Sequence, residues 1–68
     1  MSTFGTNLKN IRKLNKMSQK EFALRMNTTQ QRVSEWECDK VEPSLYNIIR
    51  IINVLKTTFE ELTEDIQF

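Results

Sequence analysis

Two short helical patterns lie almost end to end between residues 18 and 37, and they constrain this chain more than any other feature. Ser18 is followed three residues later by Glu21, the spacing of a capping box that opens a helix of about residues 19–26. Asn27 suits the end of this helix, because Asn tolerates the left-handed conformation better than most non-Gly residues. Thr28 and Thr29 then offer an N-cap for a second helix of about residues 29–37. Only a short turn separates the two helices, a spacing that is typical of a single supersecondary unit built from both.

Further helical patterns flank this pair. Apolar residues at spacings of four, three and three predict a helix over about 4–16. Ser44 caps a helix over about 44–55 that is apolar on nearly all sides, so we expect it to be the central helix. The apolar residues of these two helices are Phe4, Leu8, Ile11, Leu14, Leu45, Ile48, Ile49, Ile51, Ile52, Val54 and Leu55.

A short fifth helix is predicted to start at Thr57 and Thr58 and to pack through Phe59 and Leu62. The 68 residues include one Gly and one Pro, which disfavours a sheet with many tight turns. The sequence therefore predicts an all-α chain of five helices that forms one domain over residues 1–68, with its core at about 8–62.

Composition excludes several classes of site. A single Cys cannot form an intrachain disulfide, and a chain without His offers no ligand set for a soft metal, so neither a metal nor another cofactor is expected. The sequence shows no signal peptide and no apolar run that would span a membrane, which favours a cytoplasmic protein. A core this small commonly needs another source of stability, and oligomerisation is the one that remains.

The charges are divided along the chain. Residues 1–34 hold seven Lys and Arg against one Glu, a net charge of +6, whereas residues 35–68 hold three against eight acidic residues, a net charge of −5. A basic half is typical of a domain that binds a polyanion, although two solvated faces of unequal sign would give the same count.

The stretch SQKEFALRMNTTQQRVSEWECDKVEPS resembles the helix-turn-helix of the phage repressor and Cro family of bacterial regulators. The resemblance covers about residues 8–62 and rests on Arg12, Ser18, Gln19, Phe22, Ala23, Val33, Glu37, Pro43, Leu55 and Leu62. It implies a compact five-helix fold like that of lambda repressor, with the helix-turn-helix at helices 2 and 3. The third helix would then lie in the DNA major groove while the second braces it.

Candidate base contacts follow from the faces of helix 3. If Val33, Trp36 and Glu37 point inward, the outward side chains are those of Gln30, Gln31, Ser34 and Glu35. Gln can pair with the adenine edge through two hydrogen bonds, although it is also a good helix former on an idle surface. Glu35 could accept from cytosine N4 or could instead position Arg32, and the sequence does not decide between these roles.

Candidate phosphate contacts are drawn from several helices. Gln19 stands at the start of helix 2, where free N–H groups favour an anion, and the family places a Gln against a phosphate there. Lys40 matches a family position that also reaches the DNA sugar-phosphate backbone. The remaining candidates are chosen on their charge or their position. The full set is Gln19, Thr29, Arg32, Lys40 and Lys13.

Arg12 and Glu37 lie on otherwise apolar stripes, so each requires a partner, and the family pairs these two positions. Arg12 is expected to be half buried. Where the family usually has Gly, this chain has Asp39 and Lys56, each of which must adopt a left-handed conformation or reshape its loop. Leu24 is expected to be an exposed apolar residue.

These observations predict a sequence-specific DNA-binding transcriptional regulator, expected to be a repressor, and not an enzyme. Two alternatives remain: an antitoxin that grips a toxin with the same domain, and an adaptor that binds proteins but not DNA. The working form is expected to be a homodimer on a pseudo-palindromic DNA operator, held weakly because acidic residues flank its contact. The contact residues are predicted to be Phe59, Leu62, Ile66 and Phe68.

Overall fold

Five α-helices form the regular structure of residues 1–67, the part of the chain that the computed structural model describes. Helix α1 spans Phe4–Leu14, α2 Gln19–Arg25, α3 Gln30–Glu37, α4 Leu45–Leu55 and α5 Phe59–Leu62. This part of the chain contains no strand, and a single isolated parallel bridge joins Ser2 to Ile66. The predicted all-α architecture is confirmed, with α1 ending two residues earlier than expected.

Every helix begins after a Ser or Thr whose hydroxyl accepts a backbone N–H from the first turn. The reciprocal capping box predicted for Ser18 and Glu21 is only half formed, because the Glu21 carboxylate lies 3.2 Å from the Arg25 guanidinium one turn later. A complete capping box occurs instead at the start of α5, between Thr58 and Glu61. The five capping residues are Thr3, Ser18, Thr29, Ser44 and Thr58.

Each helix is followed by a residue with a left-handed backbone, and none of these residues is glycine. Their φ values are 59° for Lys16, 57° for Asn27, 60° for Asp39, 54° for Lys56 and 62° for Asp65. The expectation for Asn27 is therefore confirmed. At Asp39 and Lys56 the chain accepts the left-handed conformation rather than reshaping the loop.

The core forms where α3 packs against α1 and α2, and α1 also contacts α5. Trp36, which was predicted to be a core residue, is 1% exposed. The buried apolar residues are Leu8, Phe22, Ala23, Met26, Val33, Trp36, Ile51, Leu55 and Leu62.

Helix α4 is not the fully buried central helix that the sequence suggested. Ile51 and Leu55 are buried, but Leu45 is 69% exposed and Ile49 is 47% exposed. The reason is the small size of the molecule, whose other helices cover only one side of α4. An apolar face of this helix remains in solvent.

The buried face of α1 is also rotated from its predicted position. Gly5, Leu8 and Arg12, spaced by three and four residues, form this face, and Arg12 is 6% exposed rather than half buried. Leu14 lies two residues beyond Arg12, on another side of the helix, and is 80% exposed. No helix within residues 1–67 has the length and apolar character needed to cross a membrane.

Candidate nucleic-acid interface

Helix α3 has one side in the core and the other toward solvent. Val33, Trp36 and Glu37 are buried, as predicted, while Gln30 and Gln31 are exposed. Ser34 and Glu35 are half buried, and the chain folds back after α3 so that the N–H of Lys40 donates to the Glu35 carbonyl at 3.0 Å. The predicted outward set of four therefore divides into two exposed side chains at the start of α3 and two partly covered ones.

A buried ion pair joins α1 to the end of α3. Arg12 Nε donates to Glu37 Oε2 at 2.6 Å and Nη2 donates to Glu37 Oε1 at 3.1 Å. The Nη1 group donates to the carbonyl oxygen of Met17 at 2.7 Å. Since both side chains are nearly excluded from solvent, at 7% and 2% exposure, this two-pronged contact satisfies charges that would otherwise be very costly.

The ion pair continues toward the surface through two glutamines. Gln19 Nε2 donates to Glu37 Oε1 at 3.0 Å, and Gln30 Nε2 makes a long hydrogen bond of 3.5 Å to Gln19 Oε1. Sequence reasoning missed this connection, because it assigned Gln19 to a phosphate and Gln30 to a base without relating them. No pattern in the sequence indicates this contact, because Gln19 and Glu37 lie 18 residues apart and meet only through the packing of the helices.

The remaining phosphate candidates have exposed side chains. Lys13 lies in the last turn of α1, Arg32 in α3 and Lys40 in the loop after α3. None of these three cations takes part in the ion pairs formed within residues 1–67. The hydroxyl of Thr29 is occupied in capping α3, where it accepts the Arg32 N–H at 3.2 Å.

Comparison with known proteins fits this arrangement. A family model described as "Helix-turn-helix" matches residues 8–62. The chain belongs to the phage repressor and Cro-type helix-turn-helix family. The members of this family are DNA-binding transcriptional regulators, a class of protein that is generally non-enzymatic, and this chain is one of those regulators. No curated protein matches the chain in sequence.

A solved structure supports the same fold. The P22 c2 repressor protein, in complex with a synthetic operator, superposes with a TM-score of 0.85 at 21% sequence identity, over 91% of this chain and 94% of that one. At this level of identity the similarity concerns the fold alone. The five-helix lambda-repressor-like architecture expected of this family member is thereby confirmed.

The predicted dimer contact residues do not share one surface. Leu62 is 0% exposed and belongs to the core, so it cannot form a contact between subunits. Phe59 was expected to pack inward but is 58% exposed, whereas Ile66 is half buried and Phe68 lies outside the described residues. Phe59 and Ile66 line an open groove of about 570 Å³ together with Val41, Pro43 and Ile48.

Proposed function

We propose that this family member is a sequence-specific repressor that reads the major groove of double-stranded DNA with α3. The observation that carries the proposal is the division of α3, whose inner side is fixed in the core while Gln30 and Gln31 are exposed on its capped first turn. The P22 c2 repressor, whose fold this chain shares, was solved with an operator. We extend operator binding to the present chain on that ground.

Gln30 and Gln31 are the proposed base readers, since a Gln amide can bond both the N6 and N7 atoms of adenine. Ser34 and Glu35 lie farther along α3 and are half covered, so they would reach only the edge of the groove. Glu35 is negatively charged, as the phosphates are, so a hydrogen bond accepted from a cytosine N4 group is favoured over any contact with the DNA backbone.

The proposed phosphate contacts surround these readers. Lys13, Arg32 and Lys40 provide exposed positive charge, and Gln19 and Thr29 stand at the N-terminal ends of α2 and α3. Backbone N–H groups at such ends favour an anion. Contacts of this kind fix the orientation of the protein on DNA and make the affinity dependent on salt.

We propose that the working form is a homodimer on a pseudo-palindromic operator, acting in the cytoplasm. One short helix covers few base pairs, and two linked half-sites raise the specificity through effective concentration. The two copies of α3 would lie about 34 Å apart, one turn of DNA. Phe59 and Ile66 at the groove are the remaining candidates for the contact, and the acidic residues beside them would keep it weak.

Selection from a random DNA pool tests the proposal. The enriched sites should share a short motif repeated with two-fold symmetry, and the double variant Gln30→Ala/Gln31→Ala should lose the motif while keeping salt-sensitive binding to any DNA. A matched double variant, Lys9→Ala/Asn10→Ala, changes exposed residues of α1 and should keep the motif. A parent protein that enriches no motif would contradict the proposal and favour the adaptor alternative. An antitoxin would enrich a motif and also bind a toxin.

A further inference from the structure

Asp39 forms a second link between α3 and α1, separate from the buried ion pair. Its Oδ1 accepts the backbone N–H of Gly5 at 2.9 Å, and its Oδ2 accepts the hydroxyl of Thr3 at 2.6 Å. These contacts join residues 34 and 36 positions apart in sequence. Asp39 therefore brings the end of α3 to the beginning of α1.

The Asp39 carboxylate caps the N-terminus of α1 although it lies 34 residues away in sequence. The first turn of α1 contains no acidic residue, and Thr3 provides its local cap by accepting the Thr6 N–H at 3.2 Å. A carboxylate at the N-terminus of a helix accepts free N–H groups and favours the helix dipole. Asp39 thus provides the negative charge that α1 lacks.

Gly5 allows this close approach. A Cβ atom at residue 5 would lie 2.5 Å from the carbonyl oxygen of Glu37, 2.6 Å from that of Trp36 and 2.8 Å from Asp39 Oδ2. The backbone of α1 consequently lies directly against the last turn of α3. A larger residue at this position would separate them.

The two links fix α3 at its C-terminal end. Glu37 binds Arg12 in the third turn of α1, while Asp39 binds the first turn. Lys40 follows Asp39 directly, and its N–H donates to the Glu35 carbonyl at 3.0 Å. Both the direction of α3 and the position of Lys40 therefore depend on the Asp39 backbone and carboxylate.

We infer that Asp39 is a positioning residue for DNA binding, whose carboxylate clamps the end of α3 to α1 and so holds α3 and Lys40 against the DNA. This inference rests on the proposed function. It assigns to Asp39 a role that its side chain performs, beyond the left-handed turn at φ 60° that a Gly would also form.

The inference predicts an effect opposite in sign to that of simple electrostatics. Removal of an acidic group near phosphates should by itself strengthen binding to every DNA, and Gly should relieve the left-handed backbone. Under the inference, Asp39→Gly instead weakens binding to the selected site by about 2- to 30-fold, the range seen for residues that act on a site through packed neighbours. Asp39→Asn keeps a short side chain that can accept the Gly5 N–H, and should bind more tightly than Asp39→Gly.

The experiment measures affinity for the selected site and for nonspecific DNA over a range of salt concentrations. The variants are the parent, Asp39→Gly, Asp39→Asn, Lys40→Ala and Asp39→Gly/Lys40→Ala. Glu42→Gln serves as the charge control, because it removes an exposed acid from the same loop. The slope of log affinity against log salt should become shallower by about one in both Asp39→Gly and Lys40→Ala, and no further in the double variant.

Amide exchange of Gly5, the one glycine of the parent chain, gives a readout that is independent of DNA. This N–H should be protected in the parent and should exchange faster in Asp39→Gly. The inference would be overturned if Asp39→Gly bound the selected site as tightly as the parent, or if its affinity rose in parallel with that of Glu42→Gln. Either result would leave the proposed function intact. A parent that selects no site would overturn the proposed function as well.

Discussion

At the scale of single residues, the Glu37 carboxylate has the greatest structural importance, because it accepts two hydrogen bonds from Arg12 and one from Gln19. Replacing Glu37 with Gln leaves the Arg12 guanidinium without a counter-charge in a site that water barely reaches. We expect the free energy of unfolding to fall by about 3–5 kcal/mol, as for other buried pairs that lose one partner. Denaturant titration measures this change.

Glu64→Gln provides the matched control, since Glu64 is exposed and its loss should change stability by less than about 0.5 kcal/mol. Equal midpoints for Glu37→Gln and the parent would show that the pair contributes nothing to stability.

Gly5 is the second residue whose replacement should change stability, because α3 leaves little space beside it. In an ordinary helix Ala at this position would add about 0.5–1 kcal/mol of stability. Here the added methyl group meets two carbonyl oxygens at 2.5 and 2.6 Å, so we expect Gly5→Ala to destabilise by about 1–3 kcal/mol, the usual cost of overpacking. Thermal unfolding checks the sign, with Asn10→Ala on the exposed side of α1 as control. A higher melting temperature for Gly5→Ala would contradict the close contact.

At the scale of secondary-structure elements, the first turn of α3 distinguishes its two glutamines. Gln31 has a free side chain, whereas the Gln30 amide lies 3.5 Å from Gln19. We expect Gln31→Ala to cost about 1–3 kcal/mol on the selected site and to relax the preference at one base pair, with little change in nonspecific affinity. Quantitative binding to the site and its single-base variants measures both effects. Asn10→Ala removes an exposed amide from α1 and should leave binding unchanged; a parental profile for Gln31→Ala would remove Gln31 from the readers.

Sequence patterns predicted the elements well because their signals are local. Caps at Ser18, Thr29 and Ser44 depend on neighbouring residues, and so does the left-handed end at Asn27. The exposure of α4 could not be predicted in this way. Its apolar residues surround the whole helix, and only the packing of the other helices decides which side they cover.

The contacts within the candidate site were predicted unevenly for a related reason. Arg12 and Glu37 were paired because two charges on apolar stripes require each other. The links from Gln19 to Glu37 and from Asp39 to Gly5 cross 18 and 34 residues. The sequence marks Asp39 as a departure from the family's usual Gly, but it does not indicate that the carboxylate binds the N–H of Gly5. Such polar contacts depend on the tertiary arrangement.

At the scale of the whole molecule, the groove beside α5 is the candidate surface for assembly of two subunits. Phe59 is 58% exposed and lines this groove, so Phe59→Lys should weaken pairing of two subunits without disturbing the core. We expect cooperative binding to the full operator to be lost while binding to a half-site is retained. Sedimentation with DNA of each length measures the number of subunits bound.

Leu14→Lys is the matched control for Phe59→Lys, because Leu14 is an exposed apolar residue on α1, at 80%. Cooperative binding should survive in this variant. Unchanged cooperativity in Phe59→Lys would move the contact to the exposed face of α4, at Leu45 and Ile49.

The left-handed residues that follow the five helices also bear on how this chain can change during evolution. A left-handed backbone costs a non-glycine residue roughly 1–2 kcal/mol, somewhat less for Asn or Asp, while a domain is stable by only about 5–15 kcal/mol. Mutation of Lys16 or Lys56 to Gly would recover part of this energy at positions outside α3 and the groove. A lineage of this regulator therefore has single-residue changes available that compensate for destabilising mutations in α3, the proposed reading helix, so the proposed operator preference can diverge without loss of the fold.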